Sequence, residues 1–229
     1  MAIPLYLAMT SVEFSGCLPF PAHPAWMSCH FSPGGPGLSN LPACLPEGCL
    51  LILDDRLPPS GHDPQQIRRE LQAMVETQNC AGLLLDFQRL GDPETDSVAA
   101  ELLQLPCPVC VSKAYAQGSC PVLLPPCPLT VPLTEHLAPW RGREIWLEAA
   151  PDSALFRITK AGCHTLFPPQ DLPLPHYDPA LFCRYGIEAE PDELLFSLCR
   201  SKEDMLHLLE AAETAGVTAA IGLYQELCP

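Results

Sequence analysis

Apolar residues recur along this chain at two different spacings. Short runs, Leu50 to Asp54, Gly82 to Phe87 and Val109 to Lys113, have the length and apolar content of strands covered on both faces. Between them the apolar positions return every three or four residues. Ile67, Leu71, Met74 and Val75 share one helical face, and Val98, Leu102 and Leu105 share another. Each helix carries a start signal: Asp63-Pro64 and Asp92-Pro93 both put a capping carboxylate before a proline at the first helical position, where no N–H is needed. The first helix is expected to run to about Gln78. Strand, helix, strand, helix, strand predicts parallel strands joined by right-handed crossovers.

The flanks of this core read differently. Two earlier strands have to fit between Ile3 and Ser32, before the loop Pro33-Gly34-Gly35-Pro36-Gly37. From Cys120 to Trp140 the prolines are too dense for a regular helix, which predicts an irregular, shortened wall. Arg143 to Glu148 reads as another strand. Leu155 to Thr159 and His164 to Phe167 look extended, and Leu181 to Ile187 with Leu194 to Cys199 bracket a Glu190-Pro191-Asp192 turn as a hairpin. Residues 151–200 are therefore expected to form a small antiparallel insertion. Ser201 and Asp204 then open a helix whose buried stripe is Met205, Leu208, Leu209 and Ala212, Gly216 stops it, and Thr218 to Tyr224 is a last strand.

Composition narrows the class. With 229 residues, 48% of them apolar, the chain can bury a full core, and a single domain over residues 1–229 is expected. A formal charge of −15 and a pI near 4.7 argue against nucleic acid and anionic membrane surfaces, and leave a neutral glycan compatible. No run is long enough to span a membrane, and Met1 to Thr10 lacks the basic start and cleavage pattern of a signal peptide, so a cytoplasmic location is expected. The 13 cysteines are an odd count and mostly neighbour apolar residues or prolines, as reduced, hydrophobe-like thiols do. Cys107-Pro108-Val109-Cys110 has the spacing of a redox or zinc pair but no second pair to match it, and on a strand its two thiols would face opposite sides. No phosphate loop, dinucleotide fingerprint, serine-centred nucleophile elbow or paired histidines with metal spacing is present, so neither cofactor nor metal is expected.

One segment carries candidate chemistry. Ala81-Gly82-Leu83-Leu84-Leu85-Asp86-Phe87-Gln88 resembles the fourth-strand signature D-G-x-D-x-D-[WF]-E of the chitinase-like family-18 glycoside hydrolases, particularly the spore and cell-wall members. Gly82, Asp86 and Phe87 match; Ala81 and Leu84 replace two aspartates, and Gln88 replaces the terminal glutamate. The end of the chain resembles the family too: Phe196 and Arg200, then Met205 to Gly216, then Ala220-Ile221-Gly222-Leu223-Tyr224, with Tyr224 in place of the tryptophan that floors the sugar pocket. The likeness covers roughly Leu50 to Leu227. The aromatic-aspartate pair of the family's sixth strand has no counterpart.

The resemblance implies an α/β fold: a shortened or irregular TIM-type (β/α)8 barrel with a small antiparallel β insertion before the last helix and strand. Such barrels typically need about 250 residues, so some helices must be short or missing. Functional side chains then belong at strand ends, where Asp54, Asp55, Asp86, Gln88, Lys113, Glu148, Tyr224 and Gln225 fall. In the family the glutamate protonates the leaving oxygen, the substrate's own N-acetyl oxygen attacks, and the preceding aspartate, here Asp86, orients that group. A glutamine has no proton to give near neutral pH.

The expected function is a barrel that binds N-acetylglucosamine-containing glycans or cell-wall fragments through Asp86, Gln88, Tyr224, Asp54 and Glu148, with little or no hydrolysis. One alternative is an active hydrolase whose acid has moved to Glu148 or Glu226. Another is a scaffold with a protein partner and no sugar site. Simpler roles compete at each position: Asp86 as a loop cap, Gln88 in solvent, Asp54 and Asp55 as helix caps or partners of Arg56, Glu148 paired with Arg141 or Arg143, and Tyr224 as a core filler.

Overall fold

The computed structural model describes residues 3–166 and 173–228. In chain order it contains β1 (Leu5–Met9), α1 (Ser11–Gly16), β2 (Pro24–Phe31), β3 (Leu38–Ser39), β4 (Leu50–Asp54), α2 (Pro64–Gln78), β5 (Gly82–Asp86), α3 (Pro93–Leu102), β6 (Val109–Ser112), β7 (Val122–Leu124), α4 (Leu133–Leu137) and β8 (Ile145–Glu148). Then follow β9 (Asp152–Thr159), β10 (Gly162–Leu166), β11 (His176–Asp178), β12 (Cys183–Ala189), β13 (Glu193–Arg200), α5 (Lys202–Thr214), β14 (Val217–Leu223) and α6 (Tyr224–Leu227). Phe167, the expected end of one strand, lies outside the described residues. The chain forms two compact units, one built on residues 4–125, 142–148 and from 217 onward, the other on 126–141 and 149–216.

The first unit is a closed parallel barrel. Its strands run β1, β2, β4, β5, β6, β7, β8, β14, and β14 pairs back with β1; the two-residue β3 adds an antiparallel edge to β2. Ala8, Ala25, Ile52, Leu84, Cys110, Leu123, Trp146 and Ile221 fill the interior, with Trp146 stacked on Tyr6 at 5.4 Å between ring centroids. Alternate residues such as Leu51, Leu53, Leu83 and Leu85 point outward and are buried as well. Both faces of each strand are therefore dry, which is why these runs lack polar alternation. Gly82 begins β5 because a Cβ there would stand 2.5 Å from the Pro108 carbonyl oxygen.

The helices form as their caps direct. Asp63 accepts from Gln65 N at 3.0 Å, Asp92 from Thr95 N at 3.3 Å, and α2 buries Ile67, Leu71 and Val75. The wall beyond β6 is thin: a three-residue 3-10 turn, Lys113–Tyr115, separates β6 from β7 where a full helix would stand. Within the stretch expected to be irregular, Val122–Leu124 forms a regular though very short strand. Pro121 and Pro125 flank it, and β6 and β8 supply its ladder partners on either side. Phe87, Lys113 and Tyr224, expected as strand residues, lie one position past β5, β6 and β14.

The second unit contains a five-stranded antiparallel sheet in the order β10, β9, β13, β12, β11. The expected hairpin joins β12 to β13, closed by reciprocal backbone bonds between Glu190 and Glu193. Leu129, Cys183 and Leu198 form a small core. Arg200 is 2% exposed and donates to the carbonyl oxygens of Cys127, Leu181 and Phe182 at 2.5, 2.7 and 3.3 Å. Ser201 and Asp204 make the capping box that starts α5, and Met205, Leu208, Leu209 and Ala212 are buried.

Candidate functional site

The site is assembled at the C-terminal ends of the barrel strands, and strand alternation decides which side chains reach it. Ile52 on β4 and Leu84 on β5 face inward, so Asp54 and Asp86, two residues further on and paired in register, point into the opening. Glu148 does the same at the end of β8, two residues after the inward Trp146. Gln88 keeps this phase past the end of β5. Asp86, Gln88, Leu90, Ser112, Lys113 and Glu148 border a cavity of about 420 Å³. A narrower hollow of about 140 Å³ lies between Asp54, Asp86 and Glu148 and an apolar floor that includes Ile52, Leu84, Ile221 and Leu223.

Inside this mouth Gln88 Nε2 donates to Asp86 Oδ1 at 2.8 Å. Burial raises the Asp86 carboxyl above its ordinary range; the Gln88 bond opposes this, and the charges of Asp54 and Asp55 add to the rise. Glu148, whose side chain is still open to solvent on one side, is also raised, first by partial desolvation against the barrel mouth and then by the charges of Asp86 and Glu226. Two carboxyls thus share one cavity with weakened tendencies to ionise, the pattern found where a side chain is set up for proton chemistry or for a polar ligand.

Sequence reasoning brings Asp54, Asp86, Gln88, Lys113 and Glu148 to this opening, and the structure assembles them there. Asp54 Oδ1 accepts the Arg56 backbone N–H at 3.0 Å, and its Oδ2 lies 2.9 Å from His30 Nδ1. Glu148 makes no ion pair among the described residues. Of its two expected partners, Arg141 and Arg143, the latter instead donates to the Gln117 and Cys120 carbonyls at 3.2 and 3.4 Å. Asp55 is buried and does not cap α2, which Asp63 caps.

Tyr224 requires correction as a pocket floor. Ile221 and Leu223 face inward, so alternation turns position 224 outward at the start of α6, where its hydroxyl receives a hydrogen bond from the Cys17 thiol at 3.4 Å. Leu223 takes the place in the floor. Gln225 and Glu226 are exposed residues of α6.

His30 is the participant that sequence reasoning missed. Its signal was the pairing of β2 with β4, which puts it beside Asp54 and which no local pattern encodes. Cys110 lies inside the barrel on β6, whereas Cys107 precedes β6 and is not a strand residue. Every cysteine is unpaired, no three His, Cys, Asp or Glu among the described residues are placed to hold a metal, and no described helix is long and apolar enough to cross a membrane.

No protein-family model and no curated protein sequence matches the chain. Solved structures do. The spore cortex-lytic enzyme SleL of Bacillus cereus matches at 8% identity and TM-score 0.53, covering 96% of this chain and 70% of that one. SleL of Bacillus megaterium QM B1551 matches at 8% and 0.51 with the same coverage. A chitinase from Chromobacterium violaceum ATCC 12472 matches at 8% and 0.53, covering 96% of this chain and 93% of its own. The closed barrel is thus the fold of these solved structures.

Proposed function

We propose that the barrel mouth binds glycans containing N-acetylglucosamine, as chitin or cell-wall fragments do, and hydrolyses them weakly or not at all. The observation that carries this reading is the hydrogen bond from Gln88 Nε2 to Asp86 Oδ1 at 2.8 Å. A protonated glutamic acid at position 88 could donate to Asp86 in the same way and then pass its proton to a leaving oxygen. The amide reproduces the donor without a transferable proton. Asp86 remains available to orient an N-acetyl group, as the family resemblance implies, and the cavity offers both polar groups and the apolar Leu90 to a sugar ring.

Calorimetric titration with N-acetylglucosamine oligomers tests this. Binding is expected, weakened about tenfold in Gln88→Ala on loss of one hydrogen bond to the ligand. No heat at millimolar ligand would remove the glycan from the account.

A second reading rests on Glu148. Its raised carboxyl borders the same cavity as Asp86 and has no ion-pair partner among the described residues, so it holds more proton near neutral pH than an ordinary glutamate. Glu226 is exposed on α6 and enters only through its charge on Glu148. Turnover of a fluorogenic N-acetylglucosaminide that disappears in Glu148→Gln would establish this reading. Flat progress curves in wild type would dismiss it.

A further inference from the structure

Alternation sends Asp54 into the mouth and its neighbour Asp55 into the wall, where the Asp55 side chain meets the segment that leaves β5. Its Oδ2 accepts the backbone N–H of Gln88 at 2.9 Å and that of Arg89 at 2.7 Å. From the opposite side, Ser112 Oγ donates to the Phe87 carbonyl and the Tyr115 hydroxyl to the Arg89 carbonyl, both at 2.5 Å. Arg89 folds back and donates to the carbonyls of Asp55 and Arg56 at 2.8 and 3.0 Å. The Phe87 ring is fully buried and meets the rings of Phe31 and Tyr115 edge-on or tilted.

Residues 87–89 are therefore held on both flanks by side chains of two other strand ends. Asp55 and Ser112 are 3 and 4% exposed, so each would leave a costly unpaired polar group if the segment moved. An ordinary surface loop needs no such restraint. The part of residues 87–89 that borders the cavity is the Gln88 side chain, and its direction depends on where its own backbone N–H is tied.

We infer that Asp55 is a positioning residue for ligand: its buried carboxylate fixes the Gln88 backbone so that the Gln88 amide reaches the cavity in one orientation. The inference rests on the glycan-binding reading for its ligand, and on the geometry alone for the restraint. No motif assigns a role to this second aspartate, whose partner segment lies 33 residues away in the chain.

The test compares the full chain with Asp55→Ala and, as a milder change that keeps the ring, Tyr115→Phe. Without ligand, hydrogen exchange at the Gln88 and Arg89 amides should accelerate at least about tenfold in Asp55→Ala, while β4 and α2 stay protected. Acceleration across the whole barrel, or none at 88 and 89, would overturn the inference. With an N-acetylglucosamine tetramer, Asp55→Ala should bind about tenfold and Tyr115→Phe about threefold more weakly, and neither should weaken Gln88→Ala further. Losses that simply add to that of Gln88→Ala would mark general support and overturn the positioning role. Should the wild type fail to bind the tetramer, the glycan reading fails, and exchange at 88 and 89 alone decides whether Asp55 orders the segment. If Asp55→Ala does not fold, Tyr115→Phe must show the same pattern at smaller amplitude or the inference falls.

Discussion

Asp55 in the barrel and Arg200 in the antiparallel unit are nearly inaccessible, 3% and 2% exposed, and neither has an ion-pair partner among the described residues. Each is satisfied by main chain instead. Two backbone N–H groups converge on one Asp55 oxygen, and three carbonyl oxygens receive the Arg200 guanidinium. The device is the same, a buried charge that ties distant segments through charge-assisted bonds. What hangs on it differs. Arg200 secures Leu181 and Phe182, the latter at φ +50°, where a non-glycine residue needs outside support, and so it holds the fold. Asp55 secures a segment from which an exposed side chain enters a cavity. A buried charge thus reads as structural or functional according to what its restrained backbone carries.

The two buried charges should respond differently to mutation. Arg200→Leu should give the largest loss of stability, about 3 kcal/mol for three carbonyls left without a donor, with glycan affinity of the folded protein unchanged. A parallel loss of affinity would erase the distinction. Asp55→Asn keeps the shape and an acceptor oxygen but loses charge assistance. It should cost about 1 kcal/mol in denaturant unfolding, with a measurable loss of binding.

Glu148→Gln should act in the other direction. The folded carboxyl is raised above its ordinary value of 4.5, so the folded state holds the proton more tightly than the unfolded chain. The wild type therefore loses stability as pH rises from the unfolded value through the folded one. The variant should melt higher than wild type at pH 7, and the gap should close below pH 4.5. A gap that widens in acid would contradict the assignment. Tyr224→Phe gives the smallest effect: with the hydroxyl outside the cavity, oligomer affinity should not change, and a loss would return Tyr224 to the site.

Much of the barrel was legible in local chemistry. The Asp-Pro starts of α2 and α3, the Glu190-Pro191-Asp192 hairpin and the inward phase of Asp86 and Gln88 all follow from residues within one element, so no tertiary knowledge was needed. β7 was not legible, because three residues between prolines show no period and owe their extended form to the ladders of β6 and β8. Tyr224 was misplaced because residue type outweighed phase: two steps on from the inward Ile221 is Leu223. His30 beside Asp54 and Asp55 beneath Gln88 depend on register between strands, which a single sequence does not reveal. The polar restraint around the site was therefore the least visible part, although it is built from ordinary side chains.

On the proposed reading, Gln88 puts a neutral amide where a hydrolase would carry its proton donor, in a mouth that still holds the sugar. The decisive comparison is Gln88→Glu beside the wild type, assayed on a fluorogenic N-acetylglucosamine oligomer. Binding without appreciable cleavage is expected of the wild type, and turnover at least about a hundredfold higher of the variant, in the range a positioned general acid contributes. Brisk wild-type hydrolysis that Gln88→Glu leaves unchanged would contradict it.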